Sequence, residues 1–487
     1  HNEADDPSFT QPSLYQMIKT MPSIDEWFKN DLNNGHNASM ISQIEADIKK
    51  IIKSGGTIPQ LFENSLSARK AMWSRYTTQV DLKENHSIVL SEQDIRYLKT
   101  IILPDLPESF TAHPQILKFI AHRAQMVDGA EQINWATGET IAMAHLLSEG
   151  YAIRLAGQDV QRGTFTQRHA VYHDQENSAL FIPLEAAIPD QSLGNRLQLI
   201  NSPLSEFACL GFEYGYSETH PNALVVWEAQ FGDFANGAQI IIDQFIASGW
   251  QKWQRMSGLV MMLPHGYEGQ GAEHSSARLE RFLQLCAQQN IQVAMPSTPS
   301  QIALLLIRQM KRGVRKPLVI MTPKSLLRHP KAVSNWSDFT NQSFKRVLPD
   351  HTQPIAKAKR VIFCSGKVYY DLLAAREEHS LQNVALIRLE QLYPFPYEEL
   401  AELVNELPKD CETIWCQEEP INQGSWFFVR PKFRRVIPSS QLFYYAGRAA
   451  SAAPAVGYYA DHIEEQSKLI LQALGLEPNP FKETTHD

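Results

Sequence analysis

NSPLSEFACLGFEYGYS (201–217), VVWEAQFGDFANGAQIIIDQF (225–245) and LPHGYEGQGAEHSSARLERF (263–282) decide how this chain folds. Each gathers Glu, Phe, Gly or His at the end of an apolar run. In α/β folds, ligand sites form where strand carboxyl ends feed helix starts. Three such clusters in close succession predict one site on one sheet edge.

Apolar runs of strand length flank the clusters: AIRLAG (152–157), ALVVWEA (223–229), GLVMML (258–263), IQVAMP (291–296) and PLVIMT (317–322). Helical stretches separate them, among them GETIAMAHLLSE (138–149), which ends at Gly150. Continuous apolar strands alternating with helices predict a parallel sheet covered on both faces. A second unit of the same kind follows, with runs at 360–365, 384–390, 412–418 and 441–447. The polar, Pro-containing stretch 350–354 reads as a boundary loop. Residues 1–95 read as mostly helical and polar. Ile41, Ile44, Ile48 and Ile51 or Ile52 form one helical stripe, which Gly55-Gly56 ends. Residues 96–130, with Pro104, Pro107 and Pro114, read as a connection. The expected class is α/β: parallel sheets covered by helices in two successive domains, preceded by a mostly helical segment. The expected divisions are 1–130, 131–328 and 329–487.

Bulk composition narrows the function. The 487 residues are too many for one core, and 45 basic against 53 acidic residues give a net charge of −8. With no basic tail, nucleic acid is not expected as a partner. No apolar run approaches the ~20 residues of a membrane span, so no membrane partner is expected. The acidic start HNEADDPSFTQP is not a signal peptide, and a first residue of His rather than Met predicts a fragment. Five scattered cysteines read as free thiols in a reducing compartment.

The clusters each allow two readings. Ser205 can be an N-cap with Glu206 a first-turn acid favoured by the helix dipole, or Glu206 can be a working carboxylate. Phe231 and Phe234 can be core aromatics at i, i+3, or can wall an aromatic ring. Asp233 reads as a helix-start acid. His265 and His274 lie in a Gly-rich loop, too far apart for a helical metal pair, so no metal site is expected there. Ser275 and Ser276 could cap the next helix. GQDVQRGTFTQRHAVYHDQ (157–175), rich in Arg, His, Gln and Asp, reads as a solvated loop or a dimer-contact segment. The cations Arg308, Lys311, Arg312, Arg315, Lys316, Lys324 and Arg328 read as a solvated face.

These clusters, together with HNEADDPSFTQP (1–12) and SAAPAVGYYADH (451–462), closely resemble the thiamine diphosphate-dependent 2-oxoglutarate dehydrogenase family, in its carboxy-terminal half. The resemblance covers nearly the whole chain. It implies a transketolase-like fold: the end of a diphosphate-binding domain, a pyrimidine-binding domain and a carboxy-terminal α/β domain. It implies that Glu206 activates the cofactor and that His274 is the active-site histidine. Phe231, Phe234, Gln158, Asp159 and His1 would border the cofactor, with Arg162 and His169 further candidates in a 157–175 loop that lines the cofactor pocket and subunit interface, and His265 would border the substrate. The Mg²⁺ ligands, an Asp and an Asn, are expected upstream, so this chain alone is expected to be inactive. A homodimer and a lipoyl-bearing succinyltransferase are the implied partners. A bacterial cytoplasm, or a mitochondrial matrix in a eukaryote, is the implied location. A 2-oxoadipate enzyme, a non-oxidative 2-oxoglutarate decarboxylase and an assembly-only half-chain are the rival readings.

Overall fold

The computed structural model describes residues 12–23, 26, 37–53, 70–77, 90–177, 179–190 and 196–482. Two compact units divide the chain, His1–Ser74 and Arg75–Asp487. The first contains helices Pro12–Thr20 and Asn37–Lys53, and the second of these carries the Ile stripe. Lys50 and Lys53 in its last turn complement the helix dipole. His1 and the Gly55-Gly56 stop lie outside the described residues.

The larger unit opens with helices where a connection was expected. Ser91 and Asp94 form a capping box on Glu92–Ile101. Pro114 occupies the first turn of Pro114–Asp128, where its missing N–H costs nothing. Among the described residues, no helix is long and apolar enough to cross a membrane.

Strands β1 (Ala152–Gly157), β4 (Leu197–Asn201), β5 (Ala223–Glu228), β6 (Val260–Pro264), β7 (Gln292–Ala294), β8 (Leu318–Thr322) and β12 (Gln391–Tyr393) form one sheet. Their order is β12-β7-β8-β6-β5-β1-β4. Every pairing is parallel except that of β12 with β7. β5, β6 and β8 are buried along their full length, as strands covered on both faces must be. Two short strands, β2 (Tyr172–His173) and β3 (Leu180–Phe181), pair apart from it. Helix Trp135–Ser148 packs against helix Pro299–Lys311 on one face, both nearly all buried.

The second sheet has the order β14-β13-β10-β11-β9, from β9 (Val347–Leu348), β10 (Arg360–Cys364), β11 (Val384–Leu389), β13 (Glu412–Cys416) and β14 (Phe443–Ala446). One residue, Glu390, separates β11 in this sheet from β12 in the first. That residue is fully buried, and it accepts from Ser297 N at 2.8 Å and Ser297 Oγ at 2.5 Å. A single apolar cluster then spans both sheets, from Leu210 to Tyr445.

Residues 350–354 differ from the expected boundary loop. β9 already pairs into the second sheet, so the loop lies inside that unit. Asp350 accepts from Leu386 N at 2.8 Å, from Thr352 N at 2.8 Å and from the buried Arg376. Burial raises its pKa, but these donors overcome that and leave it below the usual carboxylate value. A depressed folded-state pKa contributes stability above the unfolded value and loses it as pH falls through the folded value. Asp350→Ala should therefore cost about 3–5 kcal/mol at neutral pH, because Arg376 stays buried without its partner. The deficit relative to the parent should shrink as denaturant midpoints are followed into acid.

Candidate active site

Four strands of the first sheet end side by side. Gly157 on β1 is in register with Glu228 on β5, Glu228 with Met262 on β6, and Pro264 with Thr322 on β8. The chain leaving each end contributes to one site. The first two ends approach closely: a Cβ on Gly157 would stand 2.1 Å from the Glu228 carbonyl oxygen.

Ser205 caps helix Glu206–Thr219 by accepting from Ala208 N at 3.3 Å. Glu206 therefore starts the helix with its carboxylate half-buried. Gln158 Nε2, just beyond β1, donates to Glu206 Oε1 at 3.1 Å. The turn after β5 faces the other oxygen, since a Cβ on Gly237 would lie 3.6 Å from Glu206 Oε2. The same turn carries Phe231 and Phe234, with ring centres 5.8 Å apart and edge to face. Phe165 meets Phe231 at 5.5 Å. His274 reaches both rings, 4.6 Å from Phe231 and 5.9 Å from Phe234. Both phenyl rings keep exposed area, so the surface they form is accessible.

The turn and the histidine loop are clamped together. Gly232 sits so close that a Cβ there would lie 2.6 Å from the Pro264 carbonyl oxygen. Asp233 Oδ1 accepts from Ser275 N at 3.2 Å and Ser276 N at 3.0 Å. Its Oδ2 is buried with no hydrogen-bond partner, and burial pushes its pKa up despite the backbone donors. Asp233 is thus a cross-brace as well as a helix-start acid. Ser275 and Ser276 do not cap the next helix, Leu279–Gln284, whose N-cap is Arg278. They close the loop, with Ser275 Oγ donating to the Gly271 carbonyl at 2.7 Å.

Lys324, two residues past β8, holds the loop from the other side. Nζ donates to Gln270 Oε1 at 2.9 Å and to the His274 carbonyl. The residue is 5% exposed, and burial lowers its pKa against the pull of Glu268. Lys324 was expected on a solvated face, and that expectation fails for much of its cluster. Arg308, Arg315 and Lys316 are also buried. Arg315 donates to the carbonyls of Pro221 and Met310, both at 2.8 Å, and Arg308 lies over the Phe344 ring at 4.2 Å. Charge runs are read as solvated because their partners are distant in sequence.

His265 differs from the expected substrate contact. It is 2% exposed, its Nε2 lies 3.0 Å from Glu419 Oε1, and its Nδ1 accepts from Ala277 N at 3.1 Å. No ring nitrogen is left for a ligand. Burial lowers its pKa, but Glu419 more than offsets this and raises it. The accepted Ala277 N–H places the proton on Nε2, toward Glu419. Asp159 stands at the rim, accepting from Gln230 Nε2 at 3.4 Å and 3.3 Å from Arg162 Nη2. His169 packs against Phe119 instead, 4.9 Å between ring centres.

Arg168 escaped the sequence reading. It is fully buried between Glu228, at 2.5 Å and 2.9 Å, and Glu139, at 3.1 Å and 3.2 Å. It thereby ties the 158–175 loop to the end of β5 and to helix Trp135–Ser148. Among the described residues, no group of three or more His, Cys, Asp or Glu is arranged to hold a metal ion.

Comparison with known proteins agrees with this geometry. Residues 131–330 match the family described as "Transketolase, pyrimidine binding domain". Residues 333–474 match "2-oxoglutarate dehydrogenase C-terminal". The chain is 47% identical to the 2-oxoglutarate dehydrogenase E1 component of Azotobacter vinelandii, over 97% of this chain and 50% of that protein. It is 45% identical to that of Haemophilus influenzae, over 97% and 50%. For Cupriavidus necator the values are 47%, 96% and 50%. The chain spans about half the length of the curated relatives it matches.

The role of Lys324 is testable without any ligand. Lys324→Met should remove two loop-holding bonds while keeping the buried stem. Amide exchange should accelerate in residues 270–276 by about tenfold or more, for roughly 1.5 kcal/mol of local stability. Exchange in β6 and β8 should stay at the parental rate. Unchanged protection in 270–276 would contradict this.

Proposed function

Because the chain belongs to the 2-oxoglutarate dehydrogenase E1 family over the half of that protein it spans, we propose that it supplies the pyrimidine-activating half of a thiamine diphosphate-dependent 2-oxo acid dehydrogenase. The proposed reaction is oxidative decarboxylation of 2-oxoglutarate with succinyl transfer to a lipoyl group. One observation carries this reading. The Glu206 carboxylate faces the Phe231–Gly237 turn while Gln158 holds its Oε1.

The residues present fit an aminopyrimidine. Phe231 and Phe234 offer a partly exposed aromatic wall, and a carboxylate stands across the same turn. Bound thiamine diphosphate supplies an electron sink for loss of CO₂ beside a carbonyl. Glu206 would share a proton with the N1′ ring nitrogen. Gln158 fixes Oε1 and leaves Oε2 directed at the turn. His274, on the edges of both rings, would meet the substrate and bind its distal carboxylate. Asp233 and Lys324 position it through the loop backbone. We assign Mg²⁺ and the diphosphate to the portion of the E1 protein that this chain does not span, with homodimer formation joining the two portions. A lipoyl-bearing succinyltransferase is the proposed partner, and the bacterial cytoplasm is the proposed location, after the relatives' sources.

Two substitutions in the full-length protein test the reading. Glu206→Gln should keep the fold and slow exchange of the C2 proton of bound thiamine diphosphate by about 10²–10⁴. An unchanged exchange rate would remove Glu206 from the mechanism. His274→Ala should leave that exchange near the parental rate. It should weaken kcat/KM for 2-oxoglutarate by about 1.5–3 kcal/mol, the worth of one charged hydrogen bond. The loss should be smaller for 2-oxobutyrate, which lacks the distal carboxylate. Equal impairment on both substrates would instead indicate proton transfer.

A further inference from the structure

A second cavity, about 370 Å³, lies away from the Glu206–His274 site. It opens between the β7 flank of the first sheet and the second sheet. Thr298 and Ser300, at the start of helix Pro299–Lys311, line one side. This helix leaves the carboxyl end of β7, on the edge where α/β sheets place ligands. Arg388, near the carboxyl end of β11, lines the other side. Leu304 and Leu373 add apolar walls, and Lys345 lies at the exposed mouth. A volume of this size suits a small organic molecule.

Arg388 is the distinctive group. It is 6% exposed, and its guanidinium lies over the Tyr369 ring at 4.0 Å. Nη1 donates to Ser297 Oγ at 2.8 Å, while Nε is buried with no hydrogen-bond partner. Glu390 holds the same Ser297 and offsets part of the charge. The other ions at the cavity are mostly committed. Lys331 pairs with Glu377, and Asp338 accepts from Asn335 N. Asp338 keeps its negative charge, and Lys345 has no ion pair among the described residues, so Arg388 and Lys345 are the cations left to meet an anion. The helix N-terminus adds to their field through its dipole. Its first backbone donors are already satisfied by Thr298 and Ser334. Side-chain cations, not free amides, would make the direct contacts.

We propose that this cavity binds a small organic anion, its charged end between Arg388 and Lys345 and its apolar body against Leu304 and Leu373. The charged end can be a phosphate monoester or a carboxylate, which share this chemistry.

Titration of the full-length protein with phenyl phosphate, benzoate and inorganic phosphate tests the proposal. Calorimetry and phosphorus NMR line broadening give the affinities. Phenyl phosphate should bind saturably with Kd at or below ~1 mM, as expected for so few non-hydrogen atoms. Inorganic phosphate, lacking the body, should bind about tenfold more weakly or worse. Benzoate tighter than phenyl phosphate would identify a carboxylate ligand, and the reverse a phosphate ester; either supports the anion site. Lys345→Glu, at an exposed position, should weaken phenyl phosphate about tenfold without altering the fold. Arg388→Met should abolish binding. If that variant does not fold, Lys345→Glu and Leu373→Asn carry the test. No saturable binding by about 10 mM ligand overturns the proposal. So does an affinity unchanged in Lys345→Glu, or inorganic phosphate binding as tightly as phenyl phosphate.

Discussion

Arg168, buried between Glu228 and Glu139, is the constraint on which the site depends. Burial alone would lower the pKa of the guanidinium, and the two carboxylates more than offset this and raise it. For Glu139, burial and the neighbouring Glu228 raise the pKa while Arg168 opposes them. Removing one partner of such a set leaves an uncompensated charge, at a cost of about 3–5 kcal/mol. The geometry gives that cost a location. Glu228 is the last residue of β5, three before Phe231. Arg168 lies in the loop that starts at Gln158, and it also donates to the Val160 carbonyl at 3.0 Å. Glu139 belongs to the helix beneath and accepts from Trp135 Nε1 at 3.0 Å. The triad therefore sets the distance between the residue that holds Glu206 and the aromatic turn that Glu206 faces.

The two readings of Glu206 turn out to be compatible. Ser205 does cap the helix, and a first-turn carboxylate does suit the dipole. Those local effects aim the side chain. The helix that Glu206 starts packs against the Phe231–Gly237 turn, so its first residue must face that turn. Helix capping and the placement of this carboxylate are then one structural event. The aromatic pair behaves alike. At i, i+3 the two rings pack edge to face as core aromatics do, yet each keeps an accessible face.

Most of the fold was legible because buried parallel strands write continuous apolar runs. Strands β1, β5, β6, β8, β10, β11, β13 and β14 lie within a few residues of their expected places. β4 was missed: its LQLIN pattern is that of an edge strand with one buried position. β9 and β12 are two and three residues long and antiparallel, too short to write a period. At the site, Glu206, Gln158, the two phenylalanines and His274 were visible as clusters at the ends of apolar runs. Arg168, Asp233 and Lys324 were not recognised for what they hold. Each acts through a partner tens of residues away, and one-dimensional pattern records composition, not pairing. One signal was present for Lys324. It follows an apolar strand by two residues, the placement that marked the other clusters.

The same pairing explains how a loop can be both fixed and usable. The backbone of 274–276 is held from two directions, by Asp233 at the amides of Ser275 and Ser276 and by Lys324 at the His274 carbonyl. Both braces are charged groups with restricted access to water, where a hydrogen bond is worth more than at the surface. Among the described residues, the His274 ring has no such brace; it stands roughly perpendicular to Phe231 and Phe234, at 83° and 77°. Aromatic edge contacts are worth about 0.5–1.5 kcal/mol, less than a charged hydrogen bond to a ligand. The ring can therefore reorient without unseating the loop. His265 shows the opposite solution in the same loop. Both its nitrogens are committed, one to the Ala277 backbone and one to Glu419 beyond β13, so it anchors the loop to the second sheet. Two histidines nine residues apart thus differ: one has both ring nitrogens committed, and the other is held, among the described residues, through aromatic contacts.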